Sequence, residues 1–182
     1  MKFNVPTREQ VNEPAQSVFD ALKNKLGMVP NIYAYAGHSP NTLKQYLEFN
    51  EGLGSGSFSG KEREAVALAV AQINGCRYCQ SAHSLLAGQH GFSEEEILQL
   101  RDGSHPDEKL GALTRLAKEI QSTNGNPSQE ALEDFEAAGY DQESLVELIG
   151  LISVNVFTNY IHGIAQFDID FPVAPELETE SY

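Results

Sequence analysis

The run SGKEREAVALAVAQINGCRYCQSAH, residues 59–83, sets the architecture of this chain. It begins with Ser59 and Glu62, whose spacing matches a capping box at a helix start. Residues 65–71 are all alanine, valine or leucine, and a helix that is apolar around most of its circumference is a buried one. Asn74-Gly75 then provides a break, because glycine readily takes the left-handed conformation that ends a helix. The run therefore predicts a buried helix followed by a sharp turn.

The second half of the run carries the only two cysteines of the chain, Cys76 and Cys79, with His83 close behind. If a helix begins at or just after Gly75, the spacing i, i+3 and i+7 places both thiols and the imidazole on one face near its first turns. The positive end of a helix favours a thiolate, and a nearby imidazole can accept the thiol proton. This arrangement predicts thiol chemistry that needs neither a cofactor nor a metal.

Glu64 is a carboxylate on the helix predicted to be buried, so it needs a partner. It precedes Cys76 by twelve residues, which would separate the two by about 18 Å in one unbroken helix. If the break at Asn74-Gly75 lets the two helices pack antiparallel, Glu64 can approach His83. We infer a relay in which the carboxylate orients the imidazole and the imidazole deprotonates a thiol.

The rest of the chain predicts an all-α, single-domain protein of helices, since helix start signals recur and strand signals are almost absent. The domain is expected to span residues 1–182, with a core of about 14–168 and an acidic tail at 172–182 that packs loosely or extends onto a neighbouring subunit. Further helices are predicted from Pro14 to about Lys25 with Gly27 as the cap, from Ser39-Pro40 to about Asn50, from the Ser93/Glu96 capping box, after Pro106, and near Pro127 and Asp141.

Composition excludes several classes of function. The formal charge of −14, from 12 Lys and Arg against 26 Asp and Glu, is wrong for a nucleic-acid partner. The N-terminus lacks a secretory pattern, so a cytoplasmic location is expected, where a Cys-x-x-Cys is catalytic or metal-binding. Residues 145–165 are apolar but interrupted by polar side chains, which predicts a buried helix and no membrane span.

Several polar residues have roles that the sequence leaves open. Asn155, Asn159, His162 and Gln166 form a polar stripe on the last helix that could line a pocket, join subunits or form an internal hydrogen-bond ladder. Tyr78 could position a substrate or pack beside the thiols. His38, His90 and His105 are expected at the surface.

The combination of Glu64, Cys76-x-x-Cys79 and His83, with Tyr78 between the cysteines and Ala82 before the histidine, resembles the signature of the carboxymuconolactone decarboxylase superfamily. Within it the chain is similar to the alkylhydroperoxidase D-like branch, especially its peroxidase-related proteins. Residues 27–31, GMVPN, and Ser39-Pro40 also resemble that branch, so the likeness covers most of residues 20–165.

The resemblance implies an all-α fold, a homo-oligomer (dimer, trimer or hexamer) and thiol-dependent reduction of small hydroperoxides. By position, Cys79 would be the attacking thiol, Cys76 the resolving thiol, His83 the proton acceptor and Glu64 its relay partner. A dithiol of the lipoamide, thioredoxin or adaptor type would restore the thiols. The chain departs from the better-studied hydroperoxidases at Tyr78, where they can carry a histidine.

Other interpretations remain open on the sequence. The same two thiols could reduce the disulfide of a partner peroxidase. Two cysteines, a histidine and a carboxylate could hold zinc in a structural module, although three ligands on one helical face are unusual for a closed site. The cysteines could also be ordinary core residues. A lactone decarboxylase would have no need of a cysteine pair.

Overall fold

A computed structural model describes residues 3–177, and within that span the chain is helical with no strand. A 3₁₀ turn at Arg8–Gln10 precedes nine α-helices: α1 Glu13–Leu26, α2 Asn31–Ala36, α3 Pro40–Leu53, α4 Gly60–Ile73, α5 Arg77–Gln89, α6 Glu94–Asp102, α7 Glu108–Ser122, α8 Gln129–Ala137 and α9 Gln142–Ala165. The all-α prediction is confirmed.

Helix α4 lies at the centre of the fold. Every residue from Ala65 to Ala71 is buried, and the helix packs against α5, α6, α7 and α9. Val66 and Val70 face the main core with α7, α8 and α9, while Ala65 and Leu68 face α5 and α6. Because α5, α6, α7 and α9 all pack against α4, the position of α4 determines where these four helices lie.

The predicted helix starts at the two capping boxes are confirmed. Ser59 accepts the Glu62 N–H at 3.3 Å and the Glu62 carboxylate accepts the Ser59 N–H at 2.8 Å. Ser93 and Glu96 exchange the same pair of bonds at 3.2 and 2.7 Å. These reciprocal bonds satisfy amides that have no partner inside the helix.

Helix α2 was not predicted from the sequence, and the structure gives the reason. Pro30 stands at its cap position and supplies no side-chain hydrogen bond. Its first amides are satisfied from far along the chain: Asn31 N–H donates to Asp170 Oδ2 at 2.8 Å and Ile32 N–H donates to the Tyr78 hydroxyl at 3.3 Å. A sequence motif near α2 cannot predict this helix, because its capping groups belong to Asp170 and Tyr78.

Helix α9 is long and apolar enough to cross a membrane by length and composition, and 44% of its most apolar window is buried. Leu148, Leu151 and Ile152 enter the main core. Val146 and Ile149 lie on the opposite face and are exposed. The prediction of a buried helix is therefore right for one face and wrong for the other.

Of the predicted tail, residues 172–182, the structure describes 172–177, where most residues are exposed and Ala174 is held against α5. Ala174 is buried, and its N–H donates to Ser81 Oγ at 3.0 Å. Its carbonyl accepts a hydrogen bond from Arg77 at 2.6 Å. Residues 178–182 lie outside the described part of the chain.

One of the three histidines expected at the surface is buried. His105 is enclosed beside the ring of Phe92, and its Nδ1 accepts the Asp107 N–H at 3.2 Å. His38 and His90 are exposed, as predicted. The loop composition around His105 did not reveal that the loop folds inward.

The turn between α4 and α5 depends on Gly75, which has φ of +62°. We expect Gly75→Ala to lower the free energy of unfolding by about 1–2 kcal/mol, because a Cβ is disfavoured in the left-handed region. Urea denaturation would measure the change.

Gly88→Ala is the matched control, since Gly88 lies within α5 and, like Gly75, has open space where a Cβ would be built. There alanine should stabilise the protein by up to about 1 kcal/mol, through its higher helix propensity. Equal effects of the two substitutions would contradict the conformational explanation.

Candidate active site

The turn at Gly75 brings Cys76 to the start of α5. Cys76 N–H donates back to Ala71 O at 3.0 Å, which closes the end of α4. Cys76 is itself the N-cap of α5, and its Sγ accepts the Cys79 N–H at 3.2 Å. The prediction of a helix beginning just after Gly75 is confirmed, and both sulfur atoms lie at its positive end.

Cys76 and Cys79 form a disulfide with their Cα atoms 5.3 Å apart. Each residue is only 2% exposed. Backbone amides and the helix dipole surround these sulfur atoms with partial positive charge, which would favour a thiolate in the reduced protein. A cysteine pair in this position can, in chemical terms, exchange between a dithiol and a disulfide.

Glu64 and His83 meet as the sequence predicted. His83 Nδ1 lies 2.8 Å from Glu64 Oε2, and both side chains are mostly buried. With an ionised carboxylate as acceptor, Nδ1 carries the hydrogen and Nε2 is the nitrogen free to act as a base. No hydrogen bond joins the ring to either sulfur among residues 3–177, consistent with a disulfide having no proton to transfer.

Tyr78 is packed in the protein interior. It is 1% exposed, its hydroxyl accepts the Ile32 N–H, and the rings of His162, Phe167 and Phe171 lie within 5.5 Å between centroids. Burial, together with the neighbouring Asp170 carboxylate, raises the pKa of Tyr78. The phenol therefore stays protonated near neutral pH, and its position favours a packing role over proton transfer.

The polar stripe on α9 is divided among different partners. Asn155 donates to Leu151 O at 2.8 Å, and Asn159 accepts from Asn74, whose own side chain accepts from Gln121. His162 Nε2 lies 3.1 Å from Phe167 O, and burial lowers the pKa of His162. Most of the stripe is thus an internal hydrogen-bond ladder, while Gln166 is exposed.

The disulfide belongs to an apolar cluster. Its other buried members are Ile32 from α2, Ala71 from α4 and Tyr78 from α5, and partly buried side chains pack against the cluster: Tyr33, Ile161, Phe167, Ile169 and Phe171. Within residues 3–177, no group of three or more His, Cys, Asp or Glu side chains is arranged to hold a metal ion.

Residues 40–121, which contain Glu64, Cys76, Cys79 and His83, match the Carboxymuconolactone decarboxylase family. The match covers less than half of the chain, and over that segment the sequence is similar to this family. The matched range corresponds to α3 through α7, so α1, α2, α8, α9 and the residues after α9 lie outside it.

Solved structures share the fold. A peroxidase-related protein from Silicibacter sp. TM1040 is 20% identical, with a TM-score of 0.79 over 91% of this chain and 89% of that one. The alkylhydroperoxidase AhpD core of Ralstonia eutropha JMP134, a peroxidase-related protein, is 17% identical, with a TM-score of 0.78 over 90% and 88%. At these identities the likeness shows that the chain has the same fold as these two proteins.

A relative by sequence is YdfG of Bacillus subtilis (strain 168), described as uncharacterized. It is 26% identical over 125 residues, which cover 66% of this chain and 84% of that protein.

The sequence predicted the roles of Glu64, Cys76, Cys79 and His83, but it gave no indication of two tyrosines near Glu64. Tyr33 on α2 and Tyr46 on α3 lie with their rings 5.9 Å apart. Burial raises the pKa of both hydroxyls, and the Glu64 carboxylate adds to the rise for Tyr33. They belong to no motif, and α2 itself has no local start signal, so no pattern connected them to Glu64.

The aromatic side chains after α9 were also missed, although a signal exists. Residues 167–171, FDIDF, alternate apolar and acidic side chains, which is typical of an extended segment with one buried face. In the structure, Phe167, Ile169 and Phe171 are partly buried and pack against the apolar cluster that contains the disulfide.

We expect Tyr78→Phe to destabilise the protein by about 1–3 kcal/mol at neutral pH, because the buried Ile32 N–H loses its acceptor. Folding raises the pKa of Tyr78, so the parent keeps this proton at pH values where the unfolded chain has released it. The parent therefore loses stability as the pH rises above about 10. The variant should lose about 1.4 kcal/mol less per pH unit there.

Urea denaturation at pH 8 and pH 11 measures both effects. Tyr35→Phe is the control, since Tyr35 on α2 is only partly buried. A parallel pH dependence of parent and Tyr78→Phe would contradict the assignment of Tyr78 as a buried, protonated group.

Proposed function

We propose that this protein is a thiol-dependent peroxidase that reduces hydroperoxides through a dithiol and disulfide cycle of Cys76 and Cys79. One observation carries the proposal. The bonded cysteine pair stands at the start of α5, and the same helix carries a histidine held by a buried carboxylate. Base, thiol and second thiol are the groups that such a cycle needs.

In the first step, His83 Nε2 accepts the proton of the Cys79 thiol. The thiolate attacks the outer oxygen of the hydroperoxide, the O–O bond breaks, and the alcohol leaves with the proton from the imidazolium. Cys79 becomes a sulfenic acid. Glu64 stabilises the imidazolium through its bond to Nδ1 and fixes the ring orientation.

In the second step, Cys76 gives up its thiol proton and its sulfur attacks the sulfenic sulfur; the S–S bond forms, the S–O bond breaks, and the hydroxyl leaves with that proton as water. The division of roles is supported by position, since Cys79 precedes His83 by four residues on α5 whereas Cys76 is the N-cap. A dithiol donor then reduces the disulfide, and the donor is oxidised to its own disulfide. We propose a cytoplasmic donor of the lipoamide, thioredoxin or adaptor type.

Thiol variants test the cycle directly. We expect Cys79→Ser to abolish peroxide consumption and Cys76→Ser to trap a sulfenic acid or a mixed disulfide after one turnover. His83→Ala should slow the first step about 10²–10⁴-fold, the usual contribution of a general base. Thiol counting and mass analysis before and after stoichiometric peroxide provide the readout.

His90→Ala is the matched control, because His90 is an exposed histidine at the other end of α5. Equal turnover in the parent and all three site variants would exclude the mechanism. Rapid oxidation by a protein disulfide, but not by peroxide, would instead assign the pair to reduction of a partner peroxidase. About one zinc per chain, retained against a weak chelator, would favour a zinc module.

We also propose that the protein is a homo-oligomer that associates through α9 and α3. The outward face of α9 carries exposed Val146, Ile149, Tyr160 and Ile164, and exposed Phe49 on α3 lies beside it. On a chain of net charge −14 this uncharged stripe is unusual. A second copy fits it, because a two-fold axis brings the same apolar face of each chain together.

Replacing Ile149 and Tyr160 by glutamate should convert the assembly to single chains, because two buried charges per face would lack partners. Light scattering coupled to size-exclusion chromatography measures the mass. Val173→Glu is the control, since Val173 is equally exposed but lies after α9. A single-chain mass for the parent would contradict the proposed interface.

A further inference from the structure

The backbone binds the two sulfur atoms of the disulfide differently. Cys76 is the N-cap of α5, and its Sγ accepts the N–H of Cys79, the third residue of the helix, at 3.2 Å. Among residues 3–177, Cys79 Sγ accepts no hydrogen bond. The pair is therefore asymmetric, although each cysteine is only 2% exposed.

The cap bond of Cys76 is the one that starts most helices of this chain. In six other helices the side chain of the cap residue accepts the N–H three residues further on, and the caps there are asparagine, serine or aspartate. A cap acceptor that carries negative charge is stabilised further by the positive end of the helix. Cys76 therefore holds a position that favours an anion.

An aspartate of this chain shows the effect at an equivalent position. Asp141 is the N-cap of α9 and accepts the Ser144 N–H at 2.9 Å. This bond, together with the bond from the Ser144 hydroxyl, lowers the pKa of Asp141. A thiolate at a helix N-terminus is favoured for the same reason.

The asymmetry bears on how a reductant opens the disulfide. The thiolate of the reductant bonds to one sulfur, the S–S bond breaks, and the other sulfur leaves with the electron pair. The sulfur that is better stabilised as an anion is the better leaving group. Because the two cysteines are equally buried, exposure does not select between them, whereas the cap bond does.

We propose that Cys76 is the leaving sulfur, so that the reductant bonds to Cys79. Cys76 Sγ takes the electron pair of the broken bond and keeps the Cys79 N–H as its hydrogen-bond donor. The second thiolate of a dithiol reductant then attacks the reductant sulfur bound to Cys79. The reductant closes to its own disulfide, Cys79 leaves as a thiolate, and the two protons that the reductant released return to the two cysteine thiols through the solvent.

Under this scheme both external reactants meet the protein at the same sulfur. Cys79 reacts with the hydroperoxide and with the reductant, whereas Cys76 bonds to no atom outside the protein. The inference rests on the proposed thiol cycle for its role, but its test uses no hydroperoxide. Failure to consume peroxide would remove the cycle and leave the choice of leaving sulfur measurable.

A monothiol probe identifies the sulfur that is attacked. The oxidised parent protein is mixed with excess mercaptoethanol and quenched in acid, which protonates thiolates and stops exchange. Peptic digestion and tandem mass spectrometry then locate the adduct. We expect at least about tenfold more adduct on Cys79 than on Cys76, because the lower-pKa thiol leaves faster. Equal amounts, or more adduct on Cys76, would overturn the proposal.

Single-thiol variants measure the cause separately. Cys79→Ser retains the backbone N–H of residue 79, so the cap bond to Cys76 remains available. We expect the Cys76 thiol of this variant to lose its proton at least about one pH unit below the Cys79 thiol of Cys76→Ser. Ultraviolet absorbance of the thiolate gives both titrations. The same or the opposite order would contradict the cap explanation.

Arg77→Gln is the control for side-chain charge. Arg77 is the first residue of α5, and its guanidinium is bound to Gln80 and to Ala174 O. The adduct ratio should stay unchanged in this variant, because the cap bond comes from the backbone. Loss of the preference for Cys79 would assign it to the arginine charge and refute the inference. The adduct measurement on the parent requires no variant to fold.

Discussion

The enclosure of α4 is the constraint on which the other features depend. A helix that buries every residue from Ala65 to Ala71 must be surrounded, and α5, α6, α7 and α9 supply the apolar faces that surround it. Burial of this surface is the main favourable term in folding such a domain. The short alanine side chains leave room for neighbouring helices to approach α4 closely.

The same enclosure explains the chemistry at the ends of α4. Glu64 stands just before the buried stretch, so its carboxylate requires a partner, and α5 returns antiparallel with His83 in reach. At the other end, the left-handed turn at Gly75 closes α4 and starts α5 within a few residues. The cysteine sulfur atoms therefore occupy a helix N-terminus because the core fixes where that helix must begin.

Long-range polar contacts join Tyr78 and Asp170 to α2, which lies outside the matched segment 40–121. The Tyr78 hydroxyl and the Asp170 carboxylate satisfy the first amides of α2, so the residue between the cysteines also holds a distant helix in place. These groups are buried, and a buried amide without an acceptor is costly. A tyrosine at position 78 therefore has a structural role, because its hydroxyl accepts the Ile32 N–H. A histidine at this position could instead take part in proton transfer.

The sequence alone determined the features that depend on local chemistry. Capping boxes at Ser59 and Ser93, the glycine turn at Gly75, the buried period of α4 and the approach of Glu64 to His83 all follow from residue type and spacing. Each involves residues that are close in sequence or joined by one short turn. Such patterns can be recognised in the sequence without knowledge of the rest of the fold.

Only the tertiary structure decided the features that join distant parts of the chain. Helix α2 exists because Asp170 and Tyr78 cap it, and the outward face of α9 is apolar although its inward face fills the core. The start of the predicted tail lies against α5 and α6, where Arg77 and Arg101 donate to the carbonyl oxygens of residues 174 and 175. Hydrogen bonds between residues 46 to 139 positions apart leave no periodic pattern in the sequence, and so they form only when the helices have packed.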